Sequence, residues 1–137
     1  MKGRYSREHT WTFDGGAAVL ASPSPHVVPA PWSNAAAVDP EEAFVAAIAS
    51  CHMLTFVWLA SREGFVADSY EDNAVGVMAK NELGVPWVAE VKLQPRITWS
   101  GVKVPTGDDL ERLHHKSHEQ CYIAQSVKTA VTVNTPD

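Results

Sequence analysis

The chain has 137 residues, 45% of them hydrophobic and 20% charged, which suits one folded domain with its own core and excludes a disordered segment. Its formal net charge is −5 and its 11 Lys and Arg are scattered, so a nucleic-acid backbone is not an expected partner. The polar start, residues 1–6, leads into no secretory-type apolar run. The longest unbroken apolar stretch, residues 43–49, is too short to span a bilayer. A cytoplasmic protein with no membrane association is the expectation, and its two cysteines should then be reduced.

Residues 7–13 are β-branched and aromatic and run through Asp14-Gly15-Gly16 into residues 17–22, which predicts a hairpin. Four prolines between Pro23 and Pro31 mark residues 23–38 as an irregular loop. A helix follows from Asp39 to about Arg62, with Asp39 as cap, Pro40 at the first position and a carboxylate three residues after the cap. Phe44, Ile48, Cys51, Thr55 and Trp58 form one apolar stripe, and Val45, Ala49, His52, Phe56 and Leu59 form another. Two adjoining stripes imply burial over most of the circumference. At ~1.5 Å per residue the helix would be about 35 Å long, the scale of a spine or of a surface shared with a second chain.

Residues 68–79 and 87–100 read as long strands joined by a turn at 80–84, with Pro95 marking an edge or a bulge. Residues 105–109 open a second helix that carries Leu110, Leu113, Ser117 and Cys121 on one stripe. Residues 129–133 form a last strand. The order ββαββαβ is an α+β pattern in a single domain spanning 1–137.

Cys51 lies mid-helix in apolar surroundings, where burial raises a thiol pKa and makes it inert. A reactive Cys51 therefore needs a cation or a donor from elsewhere in the chain. Cys121 directly follows the second helix and opens a segment with the look of a short helical turn. The alternative for both is ordinary packing as small hydrophobes. A rival reading is metal: His114, His118 and Cys121 stand at i, i+4 and i+7, with Cys51 or His52 as a further ligand.

The stretch from Asp39-Pro40-Glu41-Glu42 through Ile48-Ala49-Ser50-Cys51-His52-Met53 resembles the first cysteine signature of the OsmC/Ohr family. His118-Glu119-Gln120-Cys121 with Ile123-Ala124-Gln125-Ser126-Val127 resembles its second cysteine element, and residues 70–76 fit the strand between them. The likeness runs from about residue 39 to the end and is nearer to the OsmC-like branch than to the Ohr branch.

The resemblance implies antiparallel sheets around a long central helix in an intertwined homodimer, with active sites at the subunit interface. It implies a thiol peroxidase for organic hydroperoxides. Cys51 would attack the peroxide and become a sulfenic acid, Cys121 would resolve it as a disulfide, and a dithiol would reduce that disulfide. No bound cofactor is implied, because sulfur carries the electrons. Glu41 stands at the family's glutamate and would orient an arginine that holds the thiolate; as a bare sequence feature it is also a capping-box carboxylate. Ohr-type members carry that arginine in a Gly-Arg-Asp-Gly turn, where this chain has Asp14-Gly15-Gly16. Arg7, sharing a strand face with His9 and Trp11, is the substitute, and Arg4 is the runner-up. A non-catalytic redox-sensing or ligand-binding dimer is the alternative within the same fold.

Overall fold

A computed structural model describes residues 3–135. They form two compact units, residues up to 44 and residues from 45 onward.

In the first unit, β1 (His9–Thr12) pairs antiparallel with β2 (Ala18–Ala21). The hairpin closes at the predicted place: the Phe13 amide donates to Ala17, and the Gly16 amide donates to Phe13, both at 2.9 Å. Gly16 has φ +95°, a conformation that glycine adopts without steric cost. Residues 23–38 contain no strand, and Val38 returns to bridge Ala21. This unit ends in the first turn of α1 (Pro40–Arg62). That turn is fixed by a reciprocal pair: Glu42 N–H donates to Asp39 Oδ1, and Asp39 N–H donates to Glu42 Oε1, each at 2.8 Å.

The rest of α1 belongs to the second unit. The helix stops where predicted, by a Schellman motif: Phe65 N–H donates to Ala60 at 3.1 Å and Gly64 N–H to Ser61 at 3.0 Å, with Gly64 at φ +86°. Ile48, His52, Phe56, Leu59 and Ala60 are its buried residues. Of the other predicted stripe, Ile48 is buried and Phe44, Cys51 and Thr55 are half-buried, but Trp58 is 53% exposed, as is neighbouring Leu54 at 63%. Burial over most of the circumference is therefore corrected at Leu54 and Trp58, which the chain leaves exposed. Within the 23-residue helix an 18-residue window reaches a mean hydropathy of 1.9, so by length and composition alone the helix is long and apolar enough to cross a bilayer. The unbroken run 43–49 underestimated it because Ser50, His52 and Thr55 interrupt the run without making the helix polar.

The two long strands predicted after α1 each break into two. Residues 66–80 become β3 (Val66–Asp72) and β4 (Val75–Lys80), and residues 86–100 become β5 (Pro86–Leu93) and β6 (Pro95–Ser100). The breaks face each other and are tied together: Gln94 N–H donates to Asp72 Oδ1 at 2.7 Å, and its amide donates to Asn73 at 3.1 Å. On either side of the breaks the partners sort into different sheets. β3 pairs antiparallel with β6, and β4 pairs antiparallel with β5 across the predicted 80–84 turn. β7 (Ala130–Val133) joins β5 in parallel, a departure from an all-antiparallel pattern. Pro95 opens β6, where its missing N–H costs no ladder bond.

α2 (Gly107–Gln120) starts on a capping box between Thr106 and Asp109. Its Leu113 joins Phe56, Leu59, Ala60 and Phe65 in the core, against which Tyr70, Ile97 and Trp99 of the β3–β6 sheet pack. β4 approaches the start of this unit's helix so closely that a Cβ on Gly76 would lie 2.8 Å from Val45 Cγ2.

Candidate active site

α1 and α2 meet along a seam that descends in layers. Phe56 and Leu113 form the apolar layer. One turn along α1, His52 Nε2 lies 3.0 Å from His114 Nδ1, buried. At the next step Cys51 faces Cys121, which is fully buried as the residue that ends α2. Both thiols are free.

The two sulfurs act on each other and are shifted in opposite directions. Burial works to raise the Cys51 thiol. It is outweighed by hydrogen bonds from the Cys121 thiol, from the Ile123 and Tyr122 backbone N–H groups and from Thr55, so that Cys51 ionises more easily than an ordinary cysteine. The Thr55 hydroxyl has one proton and two claimants, since it donates to the Cys51 carbonyl at 2.9 Å; its share is accordingly the smallest. Cys121 moves upward, through burial first and through its bond and charge contact with Cys51 next. The Ala124 N–H, 3.4 Å from its sulfur, only partly offsets this. The pair is thus polarised: Cys51 is the sulfur that gives up its proton more easily and Cys121 the one that keeps it.

The donors come from the chain reversal after α2. Because α2 ends at Gln120 and a 3₁₀ turn follows at Ala124–Ser126, the N–H groups of residues 122 and 123 have no helical acceptor and turn toward Cys51. The predicted short turn after Cys121 is present. Its amides are shared between the sulfurs, Ala124 and Ile123 acting on Cys121 and Ile123 and Tyr122 on Cys51. Thr55 and Tyr122 also line a cleft of about 560 Å³ together with Leu54, Trp58 and Glu119. Its wall is mostly apolar side chain, and Tyr122 was not singled out by motif or periodicity.

The remaining sequence candidates divide as follows. Cys121 is the cap of α2 and bonds to Cys51, so it is not on a helical stripe with His114 and His118. Among the described residues no group of three His, Cys, Asp or Glu side chains is disposed to hold a metal ion. His114 bonds to His52 instead. Glu41 and Arg7 lie in the first unit. Glu42, not Glu41, makes the capping box, and the half-buried Glu41 carboxylate has no hydrogen bond among the described residues. Arg7 precedes β1 and donates to the carbonyls of Gly3 at 2.7 Å and Tyr5 at 2.6 Å, with its guanidinium 3.9 Å from the centre of the Tyr5 ring.

Residues 33–135 match the family model described as OsmC-like protein. An OsmC-like protein of unknown function from Vibrio cholerae is 52% identical with a TM-score of 0.95, the match covering 98% of this chain and 88% of that one. The organic hydroperoxide resistance protein OhrB of Bacillus subtilis is 20% identical with a TM-score of 0.68, covering 97% and 93%. An organic hydroperoxide resistance protein from Elizabethkingia anophelis is 17% identical with a TM-score of 0.72, covering 94% and 86%. None of the curated proteins matches the chain. With three quarters of its length under the family model and a half-identical relative of the same fold, the chain belongs to the OsmC-like family.

Proposed function

We propose that this protein is a thiol peroxidase that reduces organic hydroperoxides. The observation that carries the reading is the polarised pair: Cys51 held as the better thiolate by three hydrogen-bond donors in addition to Thr55, and Cys121 held as a thiol against it. The Cys51 thiolate attacks the distal peroxide oxygen, the O–O bond breaks, and the alkoxide leaves as alcohol after taking a proton. Cys51 is then a sulfenic acid. The Cys121 sulfur displaces its hydroxyl, a disulfide forms and water departs with the Cys121 proton. A dithiol reductant returns both thiols by two exchange steps. No bound cofactor enters this cycle. The hydroperoxide-resistance names of two relatives of the same fold agree with the reading, as does the apolar cleft beside Thr55 and Tyr122.

Within this proposal Glu41 orients an arginine toward the peroxide, and Arg7 is that arginine, with Arg4 second. The capping work done by Glu42 leaves the Glu41 carboxylate available. The working molecule is a homodimer in a reducing, cytoplasmic compartment. The second chain covers the exposed stripe of α1, where Leu54 and Trp58 lie bare.

Peroxide consumption by Cys51→Ser and Cys121→Ser variants tests the cycle. Cys51→Ser should lose activity by ~100-fold or more, the scale of removing an activated nucleophile. Cys121→Ser should turn over once and leave a sulfenic acid that dimedone traps. A Cys51→Ser protein consuming cumene hydroperoxide at the wild-type rate would exclude the mechanism.

A further inference from the structure

The layer beneath the cysteines is made of two imidazoles, His52 and His114, 1% and 5% exposed. Their rings lie within 8° of parallel, and a single hydrogen bond of 3.0 Å joins them. Phe56 stacks on His114 at 4.1 Å and closes one face of the pair. The outer nitrogens, His52 Nδ1 and His114 Nε2, have no hydrogen-bond partner among the described residues. The mutual bond is therefore the only polar satisfaction that these four buried nitrogens obtain among the described residues.

That makes the bond a register device. Two apolar side chains in this layer would tolerate a slide of one helix along the other, because dispersion and burial have little directionality. The imidazole bond does not. A displacement of one residue, ~1.5 Å along the axis with a rotation of about 100°, breaks it and leaves every nitrogen of the pair unsatisfied. A buried polar pair at a helix–helix seam specifies alignment at a cost in stability. Here the neighbouring layer on the same two segments is Cys51 and Cys121, whose disulfide needs sulfurs brought to bonding distance in one narrow geometry.

We propose that His52 and His114 are positioning residues whose buried hydrogen bond sets the register of α1 against α2 and so brings Cys51 to Cys121. This rests on the reading of those cysteines as a redox pair. The titratable and charged groups around the imidazoles are His118, Glu111 and His115 on α2, Arg96 on β6 and, beyond Phe56, Tyr70 and Asp72 on β3. None of them offers a hydrogen bond to the outer nitrogens. A proton added to either ring thus lodges in the seam without a counter-ion in contact, and acid should loosen the register.

The test is equilibration of the full-length protein with mixtures of oxidised and reduced dithiothreitol. Cys51 and Cys121 give two electrons and two protons to the reagent disulfide, which becomes a dithiol. Below the thiol pKa values this exchange neither takes up nor releases protons, so any pH dependence reports other groups. The comparison is with a His52→Leu/His114→Leu double variant, which keeps the volume and removes every unsatisfied nitrogen. We expect it to fold, and its constant for forming the Cys51–Cys121 disulfide to fall by about tenfold, the worth of one buried directional bond. The wild-type constant should decline as pH falls from 6.5 toward about 4, and that of the variant should stay level. A variant that matches the wild type in constant and in pH profile overturns the positioning role alone. A wild-type chain that forms no disulfide under any ratio overturns that role and the redox reading together. If the double variant does not fold, the pair His52→Gln and His52→Leu decides: glutamine can reach His114 Nδ1 and should exceed leucine by about tenfold, while equal constants overturn the role.

Discussion

Removing the Cys121 thiol separates the two sources of Cys51 activation. That thiol is the first among the groups that oppose burial at Cys51, ahead of the Ile123 and Tyr122 amides. A Cys121→Ala protein should therefore show a Cys51 pKa above that of the wild type, read from the pH dependence of its alkylation rate. An unchanged or lower pKa would mean that the backbone amides suffice. The two cysteines were legible in the sequence because they sit in recognisable local signatures. The amides were not, because a backbone N–H leaves no trace in residue type; only the end of α2 at Gln120 places them. Arginine was sought as the activating charge, and donors from the chain reversal supply the lowering seen in the second unit.

The imidazole pair makes its own prediction at this scale. Burial holds both His52 and His114 down to about 4 from the ordinary 6.5, helped by contact with His118 and with His52 respectively. A folded-state pKa below the unfolded value means that the unfolded chain takes up protons first. The stability linked to the pair is complete above about pH 6.5 and is lost as pH falls toward 4, up to ~3 kcal/mol for each ring. Asp72, raised by its burial, acts in the opposite sense but is one group against two. Urea unfolding at pH 7 and at pH 4.5 should show a clearly lower midpoint in acid, and equal midpoints would contradict neutral buried imidazoles.

Among the secondary-structure elements, the caps and stops of both helices were readable because each is written in a few adjacent residues: Asp39 with Glu42, Thr106 with Asp109, and Gly64. Replacing Thr106 by Ala removes a hydroxyl that accepts from Asp109 N–H at 3.1 Å and should cost about 1 kcal/mol. The division of two long strands into four was not readable. It depends on Asp72 accepting from the Gln94 amide, 22 positions away, and on where each half then finds a partner. Gly76 shows the same limit. Nothing in its neighbours marks it, yet a Cβ there would press on Val45 at 2.8 Å. Gly76→Val should lower stability by about 1–3 kcal/mol through overpacking, detectable as a drop in Tm, while Gly84→Ala in the open turn acts through its φ of +78° alone.

For the molecule as a whole, the unsatisfied feature is the bare stripe of α1. A helix carrying Leu54 and Trp58 at more than half exposure leaves part of its apolar surface bare within the chain. The periodicity placed Trp58 on a buried stripe, and the single chain leaves it exposed. The proposed homodimer accounts for the other, and equilibrium sedimentation should give twice the mass of the chain. Trp58→Glu should shift that equilibrium toward the single chain. A wild-type protein that sediments as a monomer at micromolar concentration would remove the dimer from the account.

The central claim is that Cys51 and Cys121 form one redox pair. Its most direct measurement is mass spectrometry of the non-reduced protein before and after an equimolar dose of cumene hydroperoxide. Both free thiols should be lost together, and a Cys51–Cys121 cross-linked peptide should appear. Two intact thiols after exposure, or oxidation of Cys51 onward to sulfinic acid with Cys121 untouched, would contradict it.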